Sequence, residues 1–495
     1  MTQPGPGSLR YRGRDMSEES SGWFRSTEPK RIALSGLLTV LVVLSIGSFY
    51  AVVLGLERVG TRLPAQVHGQ LLSAHGLLMA FLVVVPAIPM ALGSFVLPGM
   101  LGADRPAFPR IQRAALWVFW LGAALALFGV ISENGRGGWT FTEAHNAKAT
   151  GVGMLVAMGG VLLVSISAML NGIDAIASIH GVRRRGLTFD RLPLFVWAEY
   201  AASAVAVFAP APLALGFFTA LAERYLHIGA LDPALGGDPR LMLHLFWAFA
   251  HPTLFASVLW SLGVGSELFA VHANRRLYGH AIMPALFFAL AMLSFFQWGT
   301  HLSGAGVSEK FSVTSSLVAL IACAPIAIVL GNWVLTLRGG SITLKAPMLH
   351  ALALLVNLSI WLSSSVVLDV LGLGDALRGT PFEVSSLHYG LVGGTLTAFL
   401  AGLFHWWPSL TGRTYDEGWA RIGAITTFVG VNVTFLGQLA TAHSAPVWVS
   451  RVSTLGSLVL VTGGTISTMV LLASFRAAPD APRNPWGAKT LEWKS

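Results

Sequence analysis

Twelve apolar stretches, each long enough to cross a bilayer, run along this chain with short polar segments between them. They lie at about 32–57, 68–101, 112–132, 149–172, 193–221, 241–273, 280–303, 312–337, 347–370, 383–410, 420–443 and 452–475. A helix needs roughly 20 apolar residues to span the hydrocarbon core. Continuous apolarity interrupted by Gly and Pro predicts an all-α membrane protein, because barrel strands would alternate apolar and polar residues over about ten positions. Composition agrees: 11% of the residues are charged, against about 25% in a soluble domain.

The polar remainder sets the domain plan and the topology. Residues 1–30 read as a flexible cytoplasmic tail, 31–476 as one twelve-helix membrane domain, and 477–495 as a second short cytoplasmic tail. The first 30 residues lack the basic start, apolar core and cleavage site of a signal peptide. Twelve spans put both ends on one side. With the ends inside, segments on that side hold 23 of the 32 Lys and Arg, including Arg183, Arg184 and Arg185, and the outer segments hold 9. The positive-inside rule then predicts cytoplasmic termini and a multi-pass protein of the cell inner membrane. The formal charge of +9 is this topology signal, and no nucleic-acid partner is expected.

A single cysteine, Cys323, excludes an intrachain disulfide and an all-cysteine metal site. The fourteen histidines are the ligand reservoir. Ionisable residues inside a span are costly, so those present are functional candidates. His75, His251, His301 and His388 fall on spans 2, 6, 7 and 10, and the topology puts all four in one layer near the outer side. Imidazole is the commonest iron ligand, and a haem between helices needs room. Gly76, Gly390, Gly393 and Gly394 are expected to supply it by letting a flat macrocycle approach the backbone. Spacing alone does not pair the histidines. Glu199, Glu267 and Asp369 are the embedded acids singled out, and they are expected to serve structural roles such as helix-end partners.

Several short motifs, in order, carry a resemblance. They are Ala74-His75-Gly76-Leu77-Leu78-Met79, Leu97-Pro98 and Ala107-Phe108-Pro109-Arg110 around span 2, and His244-Leu245-Phe246-Trp247 leading to His251-Pro252 on span 6. Further on come Trp333 to Leu337 with Gly339, Gly340 and Ser341, then His388-Tyr389, His405-Trp406-Trp407-Pro408, Gly430-Val431-Asn432 and Thr434-Phe435. Over roughly 40–475 the chain resembles subunit I of the haem–copper oxidases, the superfamily of cytochrome c oxidase and nitric oxide reductase. The resemblance implies that His75 and His388 are the axial ligands of a low-spin haem, of b or a type.

The same resemblance shows departures. The family's high-spin haem ligand stands two residues before the low-spin one, about 200° around the helix, and that position is Ser386. Of three copper histidines, His251 and His301 remain as a remnant site, and the third position is Thr300. The Glu and Tyr of the span 6 motif are matched by Thr253 and Phe255, and the proton-path lysine by Val329. The acidic residue after span 2 is matched by Arg105, and the His-Asp pair before span 10 by Arg378-Gly379. No catalytic residue is therefore assigned, and a second metal is doubtful.

These readings predict a haem subunit of a respiratory-type complex that transfers electrons through one bis-histidine haem. It would work beside other membrane or periplasmic subunits, since no Cys-x-x-Cys-His motif supplies an entry haem in this chain. Two alternatives stay open: an active oxidoreductase of terminal oxidase or nitric oxide reductase type with a remodelled second metal site, and a haem-poor scaffold subunit. A carbon monoxide-binding iron would mark the first, and a haem-free preparation the second.

Overall fold

In the computed structural model, the residues described are 22–57, 59–132, 138–141, 151–302, 307–370, 373–441 and 446–494. They contain helices and connecting loops and no strand. Twelve helices are long and apolar enough to cross a membrane: α1 Pro29–Glu57, α2 Ala65–Leu101, α3 Pro109–Ser132, α4 Val152–Gly181, α5 Leu194–Leu226 and α6 Arg240–His272. They continue as α7 Met283–Leu302, α8 Glu309–Leu337, α9 Ala346–Asp369, α10 Pro381–Thr411, α11 Glu417–Leu439 and α12 Val447–Arg476. Each falls on one of the twelve expected stretches, because a long apolar run in lipid has few ways other than a helix to satisfy its own backbone.

Burial sorts the helices into a centre and a rim. The most apolar windows of α2 and α6 are each 89% buried and that of α10 is 78%, against 17% for α1 and 22% for α12. The central three carry His75, His251 and His388. Rim helices turn Leu38, Phe49, Phe128, Met292, Ile321 and Leu455 outward, which suits a hydrocarbon solvent rather than water.

Without a hydrophobic drive between helices, association in lipid relies on close backbone approach and interhelical hydrogen bonds. Both are present. At Gly129 and Gly160 an added Cβ would collide with the backbone of the partner helix in the α3–α4 pair. Across the bundle, Trp333 Nε1 donates to Ser266 Oγ at 3.0 Å and Trp407 Nε1 to Ser474 Oγ at 2.9 Å. Asn432 links α9 to α10, accepting from the Tyr389 hydroxyl at 3.1 Å and donating to Asn357 Oδ1 at 3.2 Å.

Two central helices are irregular. In α2 the turns widen to π geometry at Leu78–Val84 and again at Pro89–Gly93, and in α10 at Tyr389–Leu396. Wide turns of this kind re-aim side chains and are often found at functional sites. His388 immediately precedes one, and His75 stands three residues before another. In α5 the helix is interrupted between Phe208 and Pro210, where proline has no N–H to offer the ladder.

The two expected tails need qualification. Residues 1–21 lie outside the described residues. Trp23 donates to Ser35 Oγ at 2.8 Å, so the stretch just before α1 is docked. The C-terminal segment folds back on the bundle: Trp486 Nε1 donates to the His405 carbonyl at 2.8 Å, and Glu492 and Trp493 are buried.

Candidate functional site

His75 and His388 face each other across an interhelical cavity. Their ring centroids are 6.4 Å apart and their planes differ by 9°. That distance is too long for ring stacking. It fits two imidazoles bound to one metal, for which two nitrogen bonds of about 2 Å plus two ring radii of about 1.1 Å give roughly 6.2 Å.

Each ring is held by its other nitrogen. His75 Nδ1 lies 2.9 Å from the Gly47 carbonyl on α1, and His388 Nδ1 lies 2.6 Å from the Val384 carbonyl one turn earlier on α10. A carbonyl only accepts, so each Nδ1 carries the proton and each Nε2 carries the lone pair. Metal-binding histidines are commonly oriented this way, and the hydrogen bond raises their basicity. Gly47 makes the first of these contacts possible. A Cβ there would run into the Met79 thioether, so either that side chain would turn into the cavity it lines or α1 would stand off and withdraw its carbonyl.

Between the rings opens a cavity of about 640 Å³, bordered by α1, α2, α10, α11 and α12. Ligand pockets span roughly 300–1,000 Å³. Its walls are mostly aliphatic, with Leu44, Met79, Leu400 and Phe435 among them. Phe435 also lies against the His388 ring at 4.7 Å. Two lone-pair nitrogens on opposite sides of an apolar, ligand-sized space suit a haem.

The expected role of four glycines is overturned. An added Cβ would meet Trp139 at Gly76, Trp361 at Gly390, Asn357 at Gly393 and Leu358 at Gly394. None of the four lines the cavity. They admit neighbouring side chains and not a macrocycle.

The second cluster is built on α6 and the end of α7. His251 Nδ1 and His301 Nε2 approach to 3.1 Å, and the His301 ring stacks on Trp247 at 3.7 Å. Thr300 turns its hydroxyl to the Gln297 carbonyl at 3.0 Å, and Thr253 bonds the Phe249 carbonyl at 2.7 Å. Among the described residues no group of three or more His, Cys, Asp or Glu could hold a metal ion. Ser386, 2% exposed, shares a hydrogen bond of 2.8 Å with Ser364. Phe255 stands between His251 at 5.6 Å and Trp361 at 5.9 Å. Val329 is fully buried in α8.

A match over residues 31–475 to the family model described as cytochrome c and quinol oxidase polypeptide I covers most of the chain. The chain belongs to that family. Its curated relatives in this family include cytochrome c oxidase subunit 1 of Thermostichus vulcanus, 28% identical over 94% of this chain and 87% of that protein. The Bacillus subtilis cytochrome c oxidase subunit 1 is 28% identical over 84% of this chain and 67% of the relative. A heme-copper oxidase subunit I+III of Aeropyrum pernix is 28% identical over 95% of this chain and 60% of its own length. Among solved structures, a heme-copper terminal oxidase dimer superposes with a TM-score of 0.78 at 16% identity, over 91% of this chain and 84% of that one. The fold is therefore that of haem–copper oxidase subunit I, and the protein is an integral multi-pass membrane subunit.

Family membership also frames what residue patterns alone missed. Asp174 on α4 is a buried acid that accepts the Phe108 amide at 2.7 Å just before α3. Its signal was an acid near the end of an apolar run. Glu267 accepts the Phe195 amide at 3.1 Å, a helix-end role of the kind expected for it. His272 and His405 pair at 3.2 Å at the opposite end of α6 and α10 from the His251 layer, with Trp486 stacked on His405 at 5.8 Å.

Proposed function

We propose that this family member is an electron-transfer subunit with one low-spin haem, held by His75 and His388, and that the family's high-spin haem and copper centre are lost. The observation that carries the reading is the pair of facing imidazoles, 6.4 Å apart and 9° from coplanar, across a cavity of haem size. A haem held by these two histidines would supply a reversible one-electron couple.

The chain's own residues account for the rest. The carbonyls of Gly47 and Val384 fix the two imidazoles and present Nε2 to the cavity. Aliphatic walls exclude water, which keeps the local dielectric low and leaves little solvent to reorganise when charge changes. Ser386 in place of an imidazole offers no usual haem ligand, and its hydroxyl is engaged with Ser364. Partners must bring and remove the electrons. The charge distribution supports cytoplasmic termini and placement in the cell inner membrane.

One observation favours a second reading, an oxidoreductase with a remodelled metal site. The 3.1 Å between His251 Nδ1 and His301 Nε2 suits a shared proton, and it also suits two bonds of about 2 Å to one metal. Absorption spectra of the purified protein, oxidised, reduced and reduced under carbon monoxide, together with metal analysis, separate the two. One haem per chain and no carbon monoxide shift support electron transfer. A second haem or a stoichiometric copper overturns it.

A further inference from the structure

Four buried carboxylates, Asp174, Glu199, Glu223 and Glu267, occupy α4, α5 and α6, and two of them have an evident structural partner. Asp174 takes the Phe108 amide before α3, and Glu267 takes the Phe195 amide at the start of α5. Glu199, on α5 between them, serves no helix end. It is 4% exposed, and its Oε2 meets no hydrogen-bond partner.

Two further polar atoms beside it share that condition. Ser203 Oγ, one turn along α5, and Trp260 Nε1, across on α6, are buried and unpartnered, with their residues 1% and 2% exposed. Both stand beside the Glu199 carboxyl as hydrogen-bonding neighbours, yet neither reaches it with the geometry of a full hydrogen bond. All three residues border one cavity of about 20 Å³ enclosed by α2, α3, α4, α5 and α6. Gly93, in the second wide turn of α2, leaves space for the carboxyl, since an added Cβ would stand 3.2 Å from Oε2.

An orphaned buried polar atom forfeits its hydration without recompense, so three converging on one void call for an occupant. A single water needs about 10–15 Å³ of such space and two to four polar partners. The volume and the three atoms match that requirement, and the chemistry is complementary. The indole N–H can only donate, while a hydroxyl and a carboxyl can each donate or accept. No Lys, Arg or His lines the cavity. An ionised carboxylate there would lack a counter-charge at large cost.

We infer that Glu199, Ser203 and Trp260 form a binding site for one water molecule held by a carboxylic acid, a proton-carrying site inside the membrane domain. It shares no lining residue with the His75–His388 cavity, so it stands whether or not that cavity holds haem.

Infrared difference spectra of the full-length protein against Glu199→Gln test the site. The expected result is loss of one carboxylic-acid carbonyl band that shifts down in deuterated buffer. Ser203→Ala should shift that band without removing it. Exchange into ¹⁸O-labelled water should move one weakly bound O–H stretch in the parent and none in Glu199→Gln. If the glutamine variant fails to fold, Glu199→Asp should keep an acid band but lose its response to Ser203→Ala. Loss of carboxylate bands instead, with dependence on sodium over choline, would assign a cation and overturn the proposal. An unchanged carbonyl region in Glu199→Gln would also overturn it.

Discussion

Ser386 and Ser364 share a hydrogen bond of 2.8 Å between α10 and α9, at the position where the resemblance would put a haem ligand. The residues around it are packed. Trp361 lies on Gly390, and Phe255 bridges Trp361 to His251. Replacing the serine alone should therefore not rebuild a second haem site. Ser386→His is expected to leave haem content at one per chain and carbon monoxide binding absent, with lower thermal stability because Ser364 loses its partner. Haem-to-protein ratio by pyridine haemochrome decides the point, and a ratio near two would contradict it.

The two axial candidates differ in what holds them, and that yields a second test. His388 is tied to its own helix through Val384, whereas His75 is tied to α1 through Gly47. Removing either imidazole should abolish the low-spin spectrum, so His75→Ala and His388→Ala are both expected to lose it. His75→Met should retain a six-coordinate haem with a raised midpoint potential, since Met/His ligation raises potential. Redox titration followed at the Soret band reads this out. A low-spin spectrum persisting in His388→Ala would remove the proposed ligand.

Gly47 offers a test that leaves both histidines intact. A methyl group there meets Met79, and overpacking of this kind costs about 1–3 kcal/mol. Gly47→Ala should turn Met79 into the cavity it lines or push α1 outward and break the carbonyl contact to His75. The expected outcome is a several-fold loss of haem affinity and a midpoint-potential shift larger than in Gly47→Ala paired with Met79→Ala, which restores the space. Equal haem retention in wild type and Gly47→Ala would show that the carbonyl contact is dispensable.

Much of this arrangement was legible in the chain. Hydropathy alone located the twelve helices, because lipid forces every apolar run to satisfy its backbone internally. His75, His251, His301 and His388 stood out together as ionisable groups where ionisation is costly, and only the family resemblance singled out His75 and His388 as a pair. The glycines misled, since proximity in sequence does not say which face of a helix a residue occupies. Gly76 is one step from His75 yet points at Trp139, as a 100° rotation per residue allows. The wide turn after His388 shifts that register again, and nothing local marks it. Docking of the C-terminal segment was equally hidden, although Trp486 and Trp493, seven residues apart in a polar stretch, are its signal.

That docked segment leads to a pH-dependence. Glu492 lies outside the membrane spans, and burial pushes its carboxyl up to about 7, with the Glu267 charge acting in the same direction and Thr490 and Trp406 against it. The facing groups are Trp406 on α10, Glu267 on α6 and the backbone at Gly99 on α2. A raised carboxyl means that the docked state binds the proton more tightly than the released one. Docking is therefore strongest below the ordinary carboxyl value of 4.5, weakens as pH rises from there to about 7, and changes little above it. Trypsin sites at Lys489 and Lys494 report release, so cleavage should accelerate as pH is raised across that window once corrected for the protease's own profile. Glu492→Gln should flatten the response, because an amide keeps the shape and cannot titrate. A Glu492→Gln protein that still shows the full pH-dependence would place the titrating group elsewhere.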